Sequence, residues 1–168
     1  AAAVVLTTNE KARQVTTTPI FVRASTLGSS NRQATGGAGI VPTVAHKAYN
    51  QSGLGPEDVD VAEVHDATAP AELIAYEELG LCGEGEGGRL IDEGITMIGG
   101  RLPVNPSGGL IGDGHPVGAT GGRQVGETFR QLNEEAGERQ VPGARHMMTF
   151  NLGGSLTTSV AMIWGRER

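Results

Sequence analysis

Cysteine is nearly absent: Cys82 is the only one in 168 residues. That excludes an internal disulfide and a zinc site built on cysteine pairs. Aromatic residues are scarce too, at 4%, so a core must be assembled mainly from Val, Ile, Leu and Ala. No apolar run approaches the ~20 residues that a membrane-spanning helix needs. The start carries no secretory pattern, and the final GRER is not a peroxisomal tripeptide. Basic residues are outnumbered, 13 Lys and Arg against 19 Asp and Glu, for a net charge of −6 and a pI near 5.2. That balance speaks against nucleic acid or an anionic membrane as the main partner, and leaves a locally bound phosphate-bearing ligand open. The expected setting is the cytoplasm. His46, His65, His115 and His146 show no ligand-like spacing, so no metal is expected.

Glycine is abundant instead, at 27 residues, with apolar patterning persisting between them. Tight turns and close backbone approach follow from that pattern, not disorder. One domain with a real core fits this length. Residues 1–6, AAAVVL, read as a buried strand, with a short helix near 9–15 and a strand over 20–27. Residues 28–39 form a Gly-rich loop. Ile40, Val44 and Ala48, with Val41, Ala45 and Tyr49, make a helical stripe that stops near Gly53. Residues 59–64 alternate as a strand does. A helix is expected over 69–79, with Pro70 tolerated in its first turn. Residues 83–88 are an acidic loop, and 90–100 are ambiguous. Val125, Phe129, Leu132 and Ala136, spaced 4, 3 and 4, predict a helix over 121–136. Strands at 146–152 and 156–164 follow, joined at Gly153 and Gly154. The order suggests a layered α/β domain with one mixed sheet.

Two histidines stand where chemistry is done. His115 lies inside the glycine run NPSGGLIGDGHPVGATGG, residues 105–122, just ahead of an amphipathic helix. Glycine lets a ligand or another backbone come close, and Pro116 stiffens the chain after the imidazole. A histidine held there, near helix N-terminal N–H groups, suits general-base work or stabilisation of an oxyanion. The bland alternative is a surface loop with an incidental histidine. His65 ends a strand and precedes a helix, a usual place for site residues in α/β folds. Its alternative is packing in a turn with Asp66.

Longer segments carry more information. NPSGGLIGDGHPVGATGGRQ resembles the GHP region of thiolases. VDVAEVHDAT, at 59–68, is similar to the strand and turn that carry Asn-Glu-Ala-Phe in ordinary thiolases, or His-Asp-Cys-Phe in the sterol-carrier-protein type. EELGLCGEGEGG, at 77–88, resembles the connection that follows in that second type. RQVPGA and NLGGS, at 139–144 and 151–155, resemble its final segments. The order is kept from about Gly36 onward. The chain thus resembles the C-terminal half of a thiolase-superfamily protein of the sterol-carrier-protein or archaeal-like subgroup.

The resemblance implies an α/β, layered thiolase-like C-terminal domain over residues 19–168. Its sheet would be mixed and five-stranded with helices on both faces, residues 1–18 being the last strand and helix of the family's N-terminal half. It implies acyl transfer on CoA thioesters: thiolysis of a 3-ketoacyl-CoA or the reverse condensation, with CoA as substrate and no metal or redox cofactor. His115 matches the histidine that activates the family's nucleophile and binds the thioester oxyanion. His65 replaces the ordinary asparagine and would contact the substrate oxygen. Gly153 matches a backbone donor of a second oxyanion hole, and Asp66 and Asn151 fall to orienting roles. The nucleophilic cysteine belongs to the N-terminal half; Cys82 reads as a small apolar residue.

Two departures matter. The second cysteine of ordinary thiolases, in Cys-x-Gly, is here Asn151, and the cysteine of His-Asp-Cys-Phe is here Ala67, with Thr68 for the Phe. The usual base for a thioester α-carbon is therefore missing. Asparagine cannot take that proton, which leaves His65 as the nearest candidate. The implied partners are acyl-CoA, the N-terminal half, and further copies in a homodimer or dimer of dimers. One alternative is a retro-aldolase on a hydroxyacyl-CoA; members of that kind carry tyrosines where this chain has His65 and His115. Another is a non-catalytic acyl-CoA-binding scaffold that associates with a zinc-ribbon/OB-fold (DUF35-type) protein.

Overall fold

The computed structural model describes residues 1–30, 39–154 and 156–166, so most of the loop expected at 28–39 lies outside the described residues. Four strands make one sheet in the order β1-β4-β3-β2: β1 (Phe21–Ser29), β2 (Val61–Glu63), β3 (His146–Gly153) and β4 (Thr158–Gly165). β4 is antiparallel to β1 and to β3, while β2 runs parallel to β3. The sheet is mixed.

Among the described residues it has four strands where five were expected. On the open side of β2, Val104 forms an isolated bridge parallel to Ala62. Ala62 N–H donates to the Pro103 carbonyl and Asn105 N–H to the Ala62 carbonyl. Pro103 and Pro106 flank this bridge and have no N–H to lend, so pairing cannot spread. Residues 1–6, expected as a strand of the N-terminal half's sheet, lie outside this sheet with no strand pairing, and Val5 is 91% exposed. Apolar residues alone do not make a strand, because its backbone groups need partners.

Side chains alternate across the sheet and meet helices on both faces. Met148, Phe150, Ala161 and Ile163 pack under α2 (Val41–Ser52) and α3 (Ala69–Glu78). The α2 stripe of Val44, Ala45 and Ala48 is buried as its spacing predicts, and Gly53 closes the helix in the left-handed region. Met147, Met162 and Trp164 face the other way, with Leu132 of α6 (Thr120–Leu132). Each fully buried large apolar side chain contributes about 1.5–3 kcal/mol. Among the described residues there are also three short α-helices, α1 (Asn9–Val15), α4 (Gly87–Asp92) and α5 (Gly109–Asp113), and two 3-10 turns at Pro56–Asp58 and Gly137–Arg139. The ambiguous stretch 90–100 is the end of α4 and the turns after it.

α6 departs from its pattern. It stops at Leu132, and Phe129 is 50% exposed with Val125 only partly covered. The inward face is polar: Thr120, Gln124, Glu127, Thr128 and Gln131 are all buried. Each finds a partner in the structure, among them Gln131 Nε2 to the Arg139 carbonyl at 2.8 Å and Thr128 Oγ1 to the Gln124 carbonyl at 2.9 Å. Burial of paired polar groups is tolerable.

Candidate active site

β2 ends at Glu63 and α3 begins at Ala69, so residues 64–68 turn over the end of the sheet. Three contacts staple this turn to the loop at 105–115. Asn105 Oδ1 accepts from Val64 N–H at 2.8 Å, and its Nδ2 donates to Glu72 Oε1 at 3.0 Å. The Glu63 carboxylate accepts from Ser107 N–H at 3.1 Å and from Ser107 Oγ at 2.7 Å. Asp66 accepts from the N–H groups of Leu110 and Ile111, at 2.6 and 3.3 Å, in the first turn of α5. Gly109 makes the last contact fit. Its φ is +62°, and a Cβ there would overlap the Asp66 carboxylate.

The stapling sets two imidazoles side by side. His65 rises from the turn after β2, and His115 from the loop between α5 and α6. Their ring centroids are 5.0 Å apart and their planes 88° apart, edge to face. His115 Nδ1 lies 2.8 Å from Thr120 Oγ1, whose hydroxyl is in turn 3.3 Å from the Pro116 carbonyl. The Pro116 carbonyl also accepts from the N–H groups of Ala119 and Thr120, so this hydroxyl sits between the imidazole and the start of α6. His65 Nδ1 lies 3.4 Å from Asn151 Oδ1. His65, His115, Asn151 and Gly153 all line one cleft of about 530 Å³, with Val160 and Met162 on its apolar side. A second cavity, of about 140 Å³, opens on another side of His65 against Ile74, Phe150 and Leu152. Asp66 lines neither, since its carboxylate is spent on α5.

Burial, above all, holds the His65 pKa below the ordinary value, with His115 beside it acting in the same direction. The hydrogen bond to Asn151 and the charge of Asp66 oppose this without reversing it. His65 is therefore mainly neutral at neutral pH, the form that takes a proton. Glu63 moves the other way: burial pushes its carboxyl up to about 7. Ser107, and Arg123 at 3.6 Å, favour the anion but do not compensate, and Glu127 adds repulsion.

Cys82 sits between α3 and α4, away from the cleft, and burial with Glu77 and Glu86 nearby pushes its thiol pKa up. It lacks the character of a nucleophile. Among the described residues no cluster of His, Cys, Asp and Glu could hold a metal ion, and no helix is long and apolar enough to cross a membrane. Sequence reasoning passed over Glu63, Asn105, Ser107, Thr120 and Gln124. The last two did leave a signal: Thr120, Gln124, Thr128 and Gln131 recur at helical spacing, a polar stripe on what proved the buried face.

The family model described as "Thiolase C-terminal domain-like" matches residues 7–166. The chain belongs to the thiolase C-terminal domain family. It is 43% identical over 171 residues to "Acetyl-CoA acetyltransferase" of Methanothermobacter thermautotrophicus, covering 99% of this chain and 45% of that protein. Sterol carrier protein 2 of Rattus norvegicus is 57% identical over 109 residues, 65% of this chain and 20% of that protein. Benzoylsuccinyl-CoA thiolase subunit BbsB of Thauera aromatica is 41% identical over 134 residues, 79% of this chain and 34% of that subunit. Among solved structures, a chain of the Ltp2-ChsH2(DUF35) aldolase is similar with a TM-score of 0.82 and 27% identity, over 95% of this chain and 43% of that one. This thiolase C-terminal domain thus spans less than half the length of the relatives it matches.

Proposed function

We propose that this thiolase C-terminal domain is one half of a CoA-dependent acyltransferase that makes or cleaves the C2–C3 bond of a 3-ketoacyl-CoA. The observation that carries this is the edge-to-face pair of His65 and His115 at one cleft, beside Gly153. The nucleophilic cysteine comes from the N-terminal half, in keeping with the position and raised pKa of Cys82. His115 takes the proton of that thiol and then donates to the thioester oxygen, and a backbone N–H at Gly153 serves the second oxyanion. In the condensing direction His65 takes a proton from C2 of an acyl-CoA. The electron pair left on C2 spreads into the thioester carbonyl and attacks the acyl carbon held on the cysteine. The cysteine leaves as thiolate, and thiolysis runs the same steps in reverse. His65 replaces the two motif cysteines that Ala67 and Asn151 displace.

The remainder of the N-terminal half would cover the apolar groove that residues 1–18 form with the domain, around Leu6, Val15, Val22 and Phe129, all largely exposed here. Residues 1–18 would belong to it, and the whole would act in the cytoplasm as a homodimer or dimer of dimers. A second reading, a thiolase-like lyase acting with a DUF35-type partner, is favoured by the likeness to the aldolase chain and by the absent motif cysteines. Acid quenching of the intact protein after incubation with acetyl-CoA, followed by peptide mass mapping, separates the two. The acyltransferase reading expects one acetyl group on a cysteine outside these 168 residues. No acyl-protein, together with cleavage of a 3-hydroxyacyl-CoA into a carbonyl compound and a shorter acyl-CoA, would favour the lyase.

A further inference from the structure

The registered β2–β3 pairs end at Glu63 and Thr149. Just past that end, Gln124 of α6 reaches in, fully buried, and its Nε2 faces two backbone carbonyls, Glu63 at 3.4 Å and Phe150 at 3.3 Å. Carbonyl oxygens only accept. The orientation of the Gln124 amide is therefore dictated by the backbone, and its Oε1 must face the other way. There it accepts from Asn151 Nδ2. With its nitrogen committed to Gln124, Asn151 has only Oδ1 to offer His65 Nδ1. An acceptor facing Nδ1 requires that nitrogen to carry the hydrogen.

We propose that Gln124 and Asn151 are positioning residues that lock the His65 ring as the Nδ1–H tautomer and keep the lone pair on Nε2. The inference rests on the acyltransferase reading above, and it names the atom that does the work there. Nε2 takes the C2 proton in the condensing direction, the C–H electron pair stays with the substrate as the enolate, and the imidazolium returns the proton in thiolysis. Donation runs inward, from the imidazole through two amides to the fixed carbonyls of the sheet. Asn151 then has a task that the cysteine of ordinary thiolases cannot perform in this way, because a side-chain amide accepts at one end while it donates at the other. Its pairing with a histidine at position 65 follows from the same need.

The test is a long-range proton–nitrogen correlation spectrum of the intact protein with ¹⁵N-labelled histidine, the His65 signals assigned through His65→Gln. The pattern of couplings from the two ring protons distinguishes Nδ1–H from Nε2–H directly, with no turnover required. The expected result is Nδ1–H at His65 in the unsubstituted protein. Gln124→Leu and Asn151→Ala should lose that signature and lower kcat about 10- to 100-fold with KM little changed, as for a group acting at the chemical step. Asn151→Asp, which keeps an acceptor at Oδ1, should retain it. Nε2–H in the unsubstituted protein, or Nδ1–H persisting in both Gln124→Leu and Asn151→Ala, would overturn the inference. Nε2–H in a protein that still transfers acyl groups would overturn it alone and leave the acyltransferase reading standing.

Discussion

The imidazoles of His65 and His115 stand edge to face, centroids 5.0 Å apart, although one comes from the turn after β2 and the other from the loop before α6. A like ring this close opposes protonation of His65. His65 is held below the ordinary histidine value of 6.5, by burial first and then also by His115. Titration of the His65 ring carbon signals in the intact protein should therefore give a midpoint below that value. His115→Asn removes the neighbouring charge and should raise the midpoint, while burial keeps it short of the ordinary value. An unshifted His65, or no response to His115→Asn, would contradict this geometry.

Glu63 makes stability depend on pH in the direction opposite to most carboxylates. Its folded-state pKa of about 7 lies above the ordinary 4.5 of the unfolded chain, so the folded state holds the proton more tightly. The contribution is full below the unfolded pKa and is lost as pH rises through the folded one. Its ceiling is of the order of 3 kcal/mol. Urea midpoints of the intact protein should fall between about pH 5 and 8, and Glu63→Gln should flatten that fall. A wild-type profile that rises over this range, unchanged by the substitution, would count against it.

Gly109 and Asp66 are coupled sterically. Gly109→Ala places a methyl group against the Asp66 carboxylate at a φ of +62°, which should cost about 1–3 kcal/mol. Asp66→Ala removes the cap on Leu110 and Ile111 and should cost about 1 kcal/mol. Because the second change relieves the overlap of the first, the double variant should be less destabilised than the sum. Strict additivity in denaturant titrations would show that the two residues do not meet.

Much of this domain was legible in its sequence, and the failures share a cause. The α2 stripe and the segments around His65 and His115 were readable because apolar periodicity and turn-flanked histidines report directly on burial and placement. Residues 1–6 pair with no strand of this sheet among the described residues; by the resemblance, the strand expected there belongs to the sheet of the N-terminal half. The fifth strand that the resemblance implies is absent among the described residues; beside β2 there is the Val104 bridge, which two flanking prolines keep from spreading. The inward face of α6 was misread because hydrophobic spacing cannot see a buried polar group whose partner lies elsewhere in the chain. Gln124 finds its partners on Glu63 and Phe150, and Ser107 finds its partner on Glu63. Side-chain relays of this kind become visible only once the loops are placed.

Cys82 provides a negative control for the chemistry. Its thiol is pushed up by burial and by two nearby carboxylates, and it lies outside the cleft. A thiolate is the reactive form, so Cys82→Ala should change the acyl-transfer rate by less than about twofold. Acyl-CoA should not protect Cys82 from iodoacetamide. Loss of activity in Cys82→Ala with the fold intact would place the nucleophile here after all.

Thiolysis of acetoacetyl-CoA by free CoA, followed in the intact protein and in His115→Ala and His65→Ala, tests the central claim most directly. Neither ring is part of the buried core, so both variants should keep the fold by circular dichroism. The expected result is turnover in the unsubstituted protein and a fall of about 10²–10⁴-fold in each variant. No turnover in the unsubstituted protein, or rates in both variants equal to it, would contradict an acyltransferase site built on this histidine pair.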